Sequence, residues 1–321
     1  MLPAPLALTT VTSMSNIYCP YTDRYLPKEK SSSEHIIPLA LGGANGFELP
    51  VDAEFNKSVG SQIDGKLSND FFMTLRRIRA GARGHSGKEP SYVSKKVQTS
   101  AGEPLLRLRL TRSSGIQLWG RGEPPGVDSL SQVTFSEQTA MRDFRIRRIR
   151  FVAKVALSSG YFIFGDSFRT AVQHSDLRTI MNFSGDFEDP TIKSLAAGVD
   201  VQLGDNKHPI LQAFRYVTRI VGGASCVGLV PLSDRIAFFV GLLGEYIGTI
   251  EVPCTKAELP HEPIHSLGTF VCIQESRPII SSWERLITRV GDHLRAAQTA
   301  TKSTTTESPP TEKPSDGQSA T

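Results

Sequence analysis

The chain has 321 residues, 39 % of them hydrophobic, and a formal net charge of +4, which allows two domains with ample core and only a mild preference for anionic partners. No run approaches the roughly 18 to 20 uncharged apolar residues of a membrane helix, and the opening MLPAPLALTTVTSMSN lacks the basic segment of a secretory leader. Cys19, Cys226, Cys254 and Cys272 have no framework spacing, so the expectation is a soluble, cytoplasmic protein with reduced thiols.

Residues 1–15 read as a flexible tail. The first informative stretch is Ser31 to Leu67, SSSEHIIPLALGGANGFELPVDAEFNKSVGSQIDGKL. A strand ends near Glu34 and His35, and Pro38 with Gly42-Gly43 marks a loop. Phe47, Leu49 and Val51 alternate with Glu48 and Pro50 as a second strand. Asp52 is an N-cap, and Phe55, Val59, Ile63 and Leu67 follow at steps of four on a helix. This order predicts strand, loop, strand, helix, with Asn56 in the first turns of the helix and facing back towards the hairpin. Neighbours on a regular strand point to opposite faces, so Glu34 and His35 can share one site only if the backbone bends there.

These residue types suit phosphodiester hydrolysis, which needs a base for water and a cation for the charge building on the phosphate. An imidazole titrating at about 6.5 makes His35 the candidate base. The Glu34 carboxylate and the Asn56 amide carbonyl are hard oxygen donors suited to Mg²⁺ or Mn²⁺. The run Glu34-His35-Ile36-Ile37-Pro38, the Gly42-Gly43 pair, Asn56-Lys57, Gly60 and Ile63-Asp64 resemble the HNH endonuclease family, the ββα-metal nucleases, over residues 15 to 70.

The resemblance implies His35 as general base, with Glu34 and Asn56 as metal ligands. Many members carry two Cys-x-x-Cys pairs around a structural zinc. Here only Cys19 remains of the first pair, and Val51 to Phe55 replaces the second, so no structural zinc is expected. The middle Asn of the motif has no clean counterpart; Asn45, in a Gly-Ala-Asn-Gly turn, is nearest. The implied function is a metal-dependent endonuclease acting on DNA, with RNA as the alternative substrate. The alternative is a nucleic-acid- or partner-binding protein that keeps the shape without cleaving.

Further on, FFMTLRRIRAGARG forms a helix starting near Ser68 or Asn69 and ending at Gly81 or Gly84. With Lys57, its Arg76, Arg77, Arg79 and Arg83 are candidate phosphate contacts. Lys88 to Ser100 reads as a loop, and Leu105 to Trp119 as a hairpin with a greasy and a cationic face. A domain boundary is expected within residues 120 to 135, separating a nuclease-like unit (16–126) from an α+β accessory unit (127–298). MRDFRIRRIRFVAK, from Met141 to Lys154, predicts an amphipathic basic helix that could follow a nucleic-acid backbone, lie on the surface, or pair its arginines with acids elsewhere, such as Asp166, Asp176 or Glu188.

Gly160 to Asn182 reads as one further helix, in which His174 is structural, and 183–208 as loop. Strands at Ser225–Pro231, Arg235–Leu243 and Tyr246–Val252 form an antiparallel meander, joined by Leu267–Ile273. His261 and His265, near Cys254 and Cys272, lack ligand spacing and are not read as a metal site. A helix over Ser281–Gln298 precedes a disordered tail, 299–321. The predicted class is α+β: an N-terminal ββα-metal hairpin-helix module, then a mixed helical and antiparallel-sheet domain. No P-loop, dinucleotide fingerprint or Gly-x-Ser-x-Gly elbow is present, which argues against an ATP-driven motor in this chain.

Overall fold

The computed structural model describes residues 16–97, 106–119, 138–185, 190, 200–202, 209–220, 225–260, 262 and 266–304. β1 (Asn16–Cys19) and β2 (Arg24–Pro27) form a short antiparallel hairpin. β3 (Ser31–His35) pairs antiparallel with β4 (Glu48–Asp52), placing His35 opposite Glu48 and Glu34 opposite Leu49. The connecting loop requires both glycines. Gly42 takes φ +79° to close the tight turn Leu39–Leu41, and a Cβ on Gly43 would lie 1.7 Å from the Ile37 carbonyl oxygen. Ser225 Oγ donates to the Leu41 carbonyl at 2.5 Å and accepts from the Leu243 N–H at 3.0 Å, tying this loop to the large sheet.

Asp52 caps α1 (Ala53–Val59) as expected, accepting from the N–H groups of Glu54 and Phe55. The helix widens into a π-turn, Gly60–Asp64, before α2 (Gly65–Ser68), and Ile63 and Asp64 are both buried there. α3 (Phe71–Ala80) starts later than the sequence suggests, because Asp70 is the residue whose carboxylate caps it; Gly81, at φ +68°, ends it. Residues 88–100 are not all loop. β5 (Ser91–Val97) pairs with β6 (Leu106–Thr111), which pairs with β7 (Gly115–Trp119), the predicted hairpin. β5 is too polar to announce itself, and its order comes from pairing and from Tyr92 packing edge-on to Phe71, 4.7 Å between centroids.

α4 (Gln138–Phe164) is not a surface helix; of the expected alternatives, the one in which its arginines pair with acids elsewhere is realised at Arg147, though with Asp70 and not with the acids named. Residues 151–159 are buried on every side, so the helix is an axis of the fold. Three of its arginines are engaged internally: Arg147 pairs with Asp70 at 2.7 Å, Arg148 donates to the Ile247 and Tyr246 carbonyls, and Arg150 donates to the Met181 carbonyl. The single helix expected over 160–182 is broken. Gly165, at φ +55°, ends the run into α5 (Asp166–Ala171), and α6 (Ser175–Asn182) follows an extended Val172.

β8 (Asp200–Gln202) and α7 (Pro209–Ile220) lead into the meander β9 (Cys226–Pro231), β10 (Arg235–Leu242) and β11 (Glu245–Pro253). β12 (Thr269–Gln274), β13 (Arg277–Ser282) and α8 (Trp283–Thr304) complete the described chain. The sheet order is β13-β12-β9-β10-β11-β8, with antiparallel neighbours throughout. α8 runs to residue 304, into the segment expected to be tail. Residues 1–15, 120–137, 305–321, His261 and His265 lie outside the described residues.

Strand alternation sends Val227, Phe238 and Val240 towards α4, and Cys226, Phe239 and Phe270 to the opposite face. There Phe239 stacks on Phe214 of α7, 4.4 Å between centroids, and meets Trp283 of α8. Coverage of both faces makes these strands nearly all apolar. The α4 side is continuous with the hairpin: Ile36, Phe47, Val51 and Leu67 share one buried cluster with Val152, Leu157 and Val240. The class is α+β with antiparallel sheets. Among the described residues no helix is long and apolar enough to cross a membrane.

Candidate functional site

The pleat of β3 separates Glu34 from His35. Glu34 points inward and is 8 % exposed, towards α4. Its Oε1 lies 2.5 Å from Nζ of Lys154, which is fully buried. The same ammonium reaches Asp64 Oδ2 at 3.1 Å and donates to the His35 and Ile36 carbonyls at 2.9 and 3.3 Å. Four oxygen atoms thus surround one internal cation. The π-turn brings Asp64 into this group, and α4 supplies the lysine.

Two carboxyls cannot both be balanced by one ammonium in a dry interior. Burial pushes the Asp64 carboxyl up, Glu34 adds to the rise, and Lys154 opposes it; the result is about 7. Burial alone would lower the Lys154 ammonium, but Asp64, Tyr21 and Glu34 outweigh it and keep the lysine charged. Tyr21, also buried, is held well above the usual phenol range by burial.

Asn56 faces back onto the hairpin as expected. Its Nδ2 donates to Ser32 Oγ at 3.0 Å and lies 3.4 Å from the Ser33 carbonyl, while its Oδ1 is buried without a hydrogen bond. That lone oxygen is the one feature of this face that suits a metal. The rest does not fit. A divalent cation on Glu34 would have to share the carboxylate with an ammonium 2.5 Å away, and like charges repel most strongly where water is absent. Among the described residues no group of three or more His, Cys, Asp or Glu side chains converges to hold a metal.

His35 stands on the outer face. Its Nε2 is 3.1 Å from Asn45 Oδ1 and 3.9 Å from Glu48 Oε2. Nε2 thus faces two oxygen atoms, of which only Asn45 Oδ1 is within hydrogen-bond distance. Ser33 Oγ donates to Glu48 Oε2 at 2.6 Å, and that bond, ahead of the charge of His35, holds the Glu48 carboxyl below its ordinary range. His85, on the loop after α3, packs edge-on to His35 with centroids 5.3 Å apart.

The predicted cations divide. Lys57 pairs with Glu54 at 2.7 Å in open solvent, and Arg76 pairs with Glu245 at 2.6 Å. Arg77 is half-buried, donating to the Ser68 carbonyl at 2.9 Å, and burial lowers its guanidinium. Arg79 and Arg83 are exposed, Arg83 donating to the Gly87 carbonyl at 3.3 Å. The Arg112 side chain lies against Gly81, beside this end of α3, and Arg107 and Arg109 are exposed on β6.

Sequence reasoning did not assign Lys154, Asp64, Glu48 or His85 to a site. Glu48 carried a local signal, since it lies across the strand pair from His35, and Asp64 stood among the residues that carry the resemblance. Compared with protein-family models, with curated proteins and with solved structures, the chain matches none.

Proposed function

We propose that this protein binds nucleic acid through a hairpin-helix of ββα-metal nuclease shape in which Lys154 replaces the divalent cation, so that it does not hydrolyse DNA by a metal-dependent route. The observation that carries this reading is the fully buried Lys154 ammonium, 2.5 Å from Glu34 and hydrogen-bonded to Asp64. It satisfies the carboxylate permanently and, being sealed, cannot touch a phosphate. Binding is supported by the exposed guanidiniums of Arg79, Arg83, Arg107 and Arg109 and by the resemblance of residues 15 to 70 to a nucleic-acid enzyme family. Cations at phosphates release counterions, so the affinity falls steeply with salt.

A second reading, the hydrolytic one, draws support from the place of His35 on the outer face, beside Asn45 and Glu48. One experiment decides between them. The protein is titrated with duplex DNA at several salt concentrations, and plasmid nicking is followed in Mg²⁺ and Mn²⁺ for wild type and His35→Ala. Salt-dependent binding without nicking is the expected result. Metal-dependent nicking that is lost in His35→Ala overturns the proposal and establishes the second reading.

A further inference from the structure

A concave site lies away from the hairpin, between α3 and α4, with a volume of about 440 Å³. Its floor is aromatic: Phe72 and Phe144 meet at 5.2 Å with their planes 40° apart, both partly exposed. Arg148 forms one wall, its guanidinium carbon 5.2 Å from the Phe144 centroid and its nitrogens fixed to the Ile247 and Tyr246 carbonyls. The acid in the lining, Glu245, is neutralised by Arg76 at 2.6 Å. Arg79, at the rim, is exposed and makes no hydrogen bond or ion pair among the described residues.

We infer that this cleft receives one unstacked nucleobase of a bound single strand, the base lying on Phe72 and Phe144 and its phosphate on Arg79. The inference rests on the nucleic-acid reading above and extends it to the kind of strand recognised. An apolar floor of π-faces beside a planar guanidinium suits a flat, polarisable ring. An unpaired cation at the mouth adds a requirement for negative charge a few ångströms from that ring, and a nucleotide supplies both. Duplex DNA keeps its bases stacked and cannot enter, so the site selects single strands or extruded bases. The cleft volume falls within the usual range for small-molecule sites.

The test compares the affinity of the full chain for a thymidine pentamer and for an abasic pentamer with the same backbone, with Phe72→Leu and Arg79→Ala alongside. Wild type is expected to prefer the base-bearing strand by on the order of tenfold. Phe72→Leu erases that preference without changing abasic binding. Arg79→Ala weakens both strands equally and reduces the salt slope by about one. A thermal melt confirms that each variant folds, and Phe144→Leu replaces Phe72→Leu if the latter does not. Equal binding of the two pentamers by wild type, with duplex binding intact, overturns the cleft and leaves the proposed function standing. Loss of all nucleic-acid binding by wild type overturns both.

Discussion

The two faces of one short strand have opposite fates. On the inner face of β3, Glu34 is paired with Lys154 in a buried group that includes Asp64; on the outer face, one residue along, His35 lies in a partly open network with Asn45 and Glu48. The pleat alone makes this division, and the environments do the rest. A carboxylate turned inward needs a compensating charge at a fixed place, so it becomes part of the fold. The His35 imidazole, turned outward, takes no part in that group.

The sharpest way to break this contrast is to remove the inner cation. Lys154→Met keeps the length of the side chain but strands Glu34 and Asp64, and it is expected to cost about 3 to 5 kcal/mol of stability in denaturant unfolding. Adding Glu34→Gln and Asp64→Asn to that variant should recover much of the loss. A cost below about 1 kcal/mol would show that the inner face is not locked at all.

A second test distinguishes the faces by pH. Because the folded Asp64 carboxyl is raised to about 7, the native chain holds a proton that the unfolded chain releases. Between the ordinary carboxylate value of about 4 and the raised value, stability therefore declines as pH increases, by at most about 1.4 kcal/mol per unit. Asp64→Asn should flatten that slope in melts taken across the same range, and an unchanged slope would remove Asp64 from the inner group.

The outer face should respond least. His35→Ala is expected to change stability by no more than about 1 kcal/mol, since its bonds are partly solvated. Ser33→Ala removes the donor that holds the Glu48 carboxyl down, so a carbon-detected NMR titration should find that carboxyl moved up towards its ordinary value. If either substitution unfolds the chain, the two faces are not energetically distinct.

What could be read from the sequence follows the same division between local and distant causes. The cap at Asp52, the Gly42-Gly43 loop, the return of Asn56 onto the hairpin and the meander from β9 to β11 depend on neighbours in the chain or on plain alternation, and all are present. The burial of Lys154 does not. Its partners sit 90 and 119 residues away, and in the sequence it ends a basic run that resembles any solvated helix. β5 is hidden for a similar reason, since its polar residues are ordered by pairing with β6. The arginines of α4 were legible as charge but not as donors to carbonyls of α6 and β11, which only the tertiary arrangement supplies. The aromatic cleft also joins residues from two helices that the sequence separates widely.

The internal lysine has a practical consequence for anyone who would dissect the protein. A fragment ending before α4 would contain both acids and the complete strand pair, yet its interior would hold two carboxyls with no counterion and an uncovered apolar flank. Such an excised piece is expected to misfold or aggregate when expressed alone. Transplanting the hairpin into another scaffold requires that a cationic side chain travel with it.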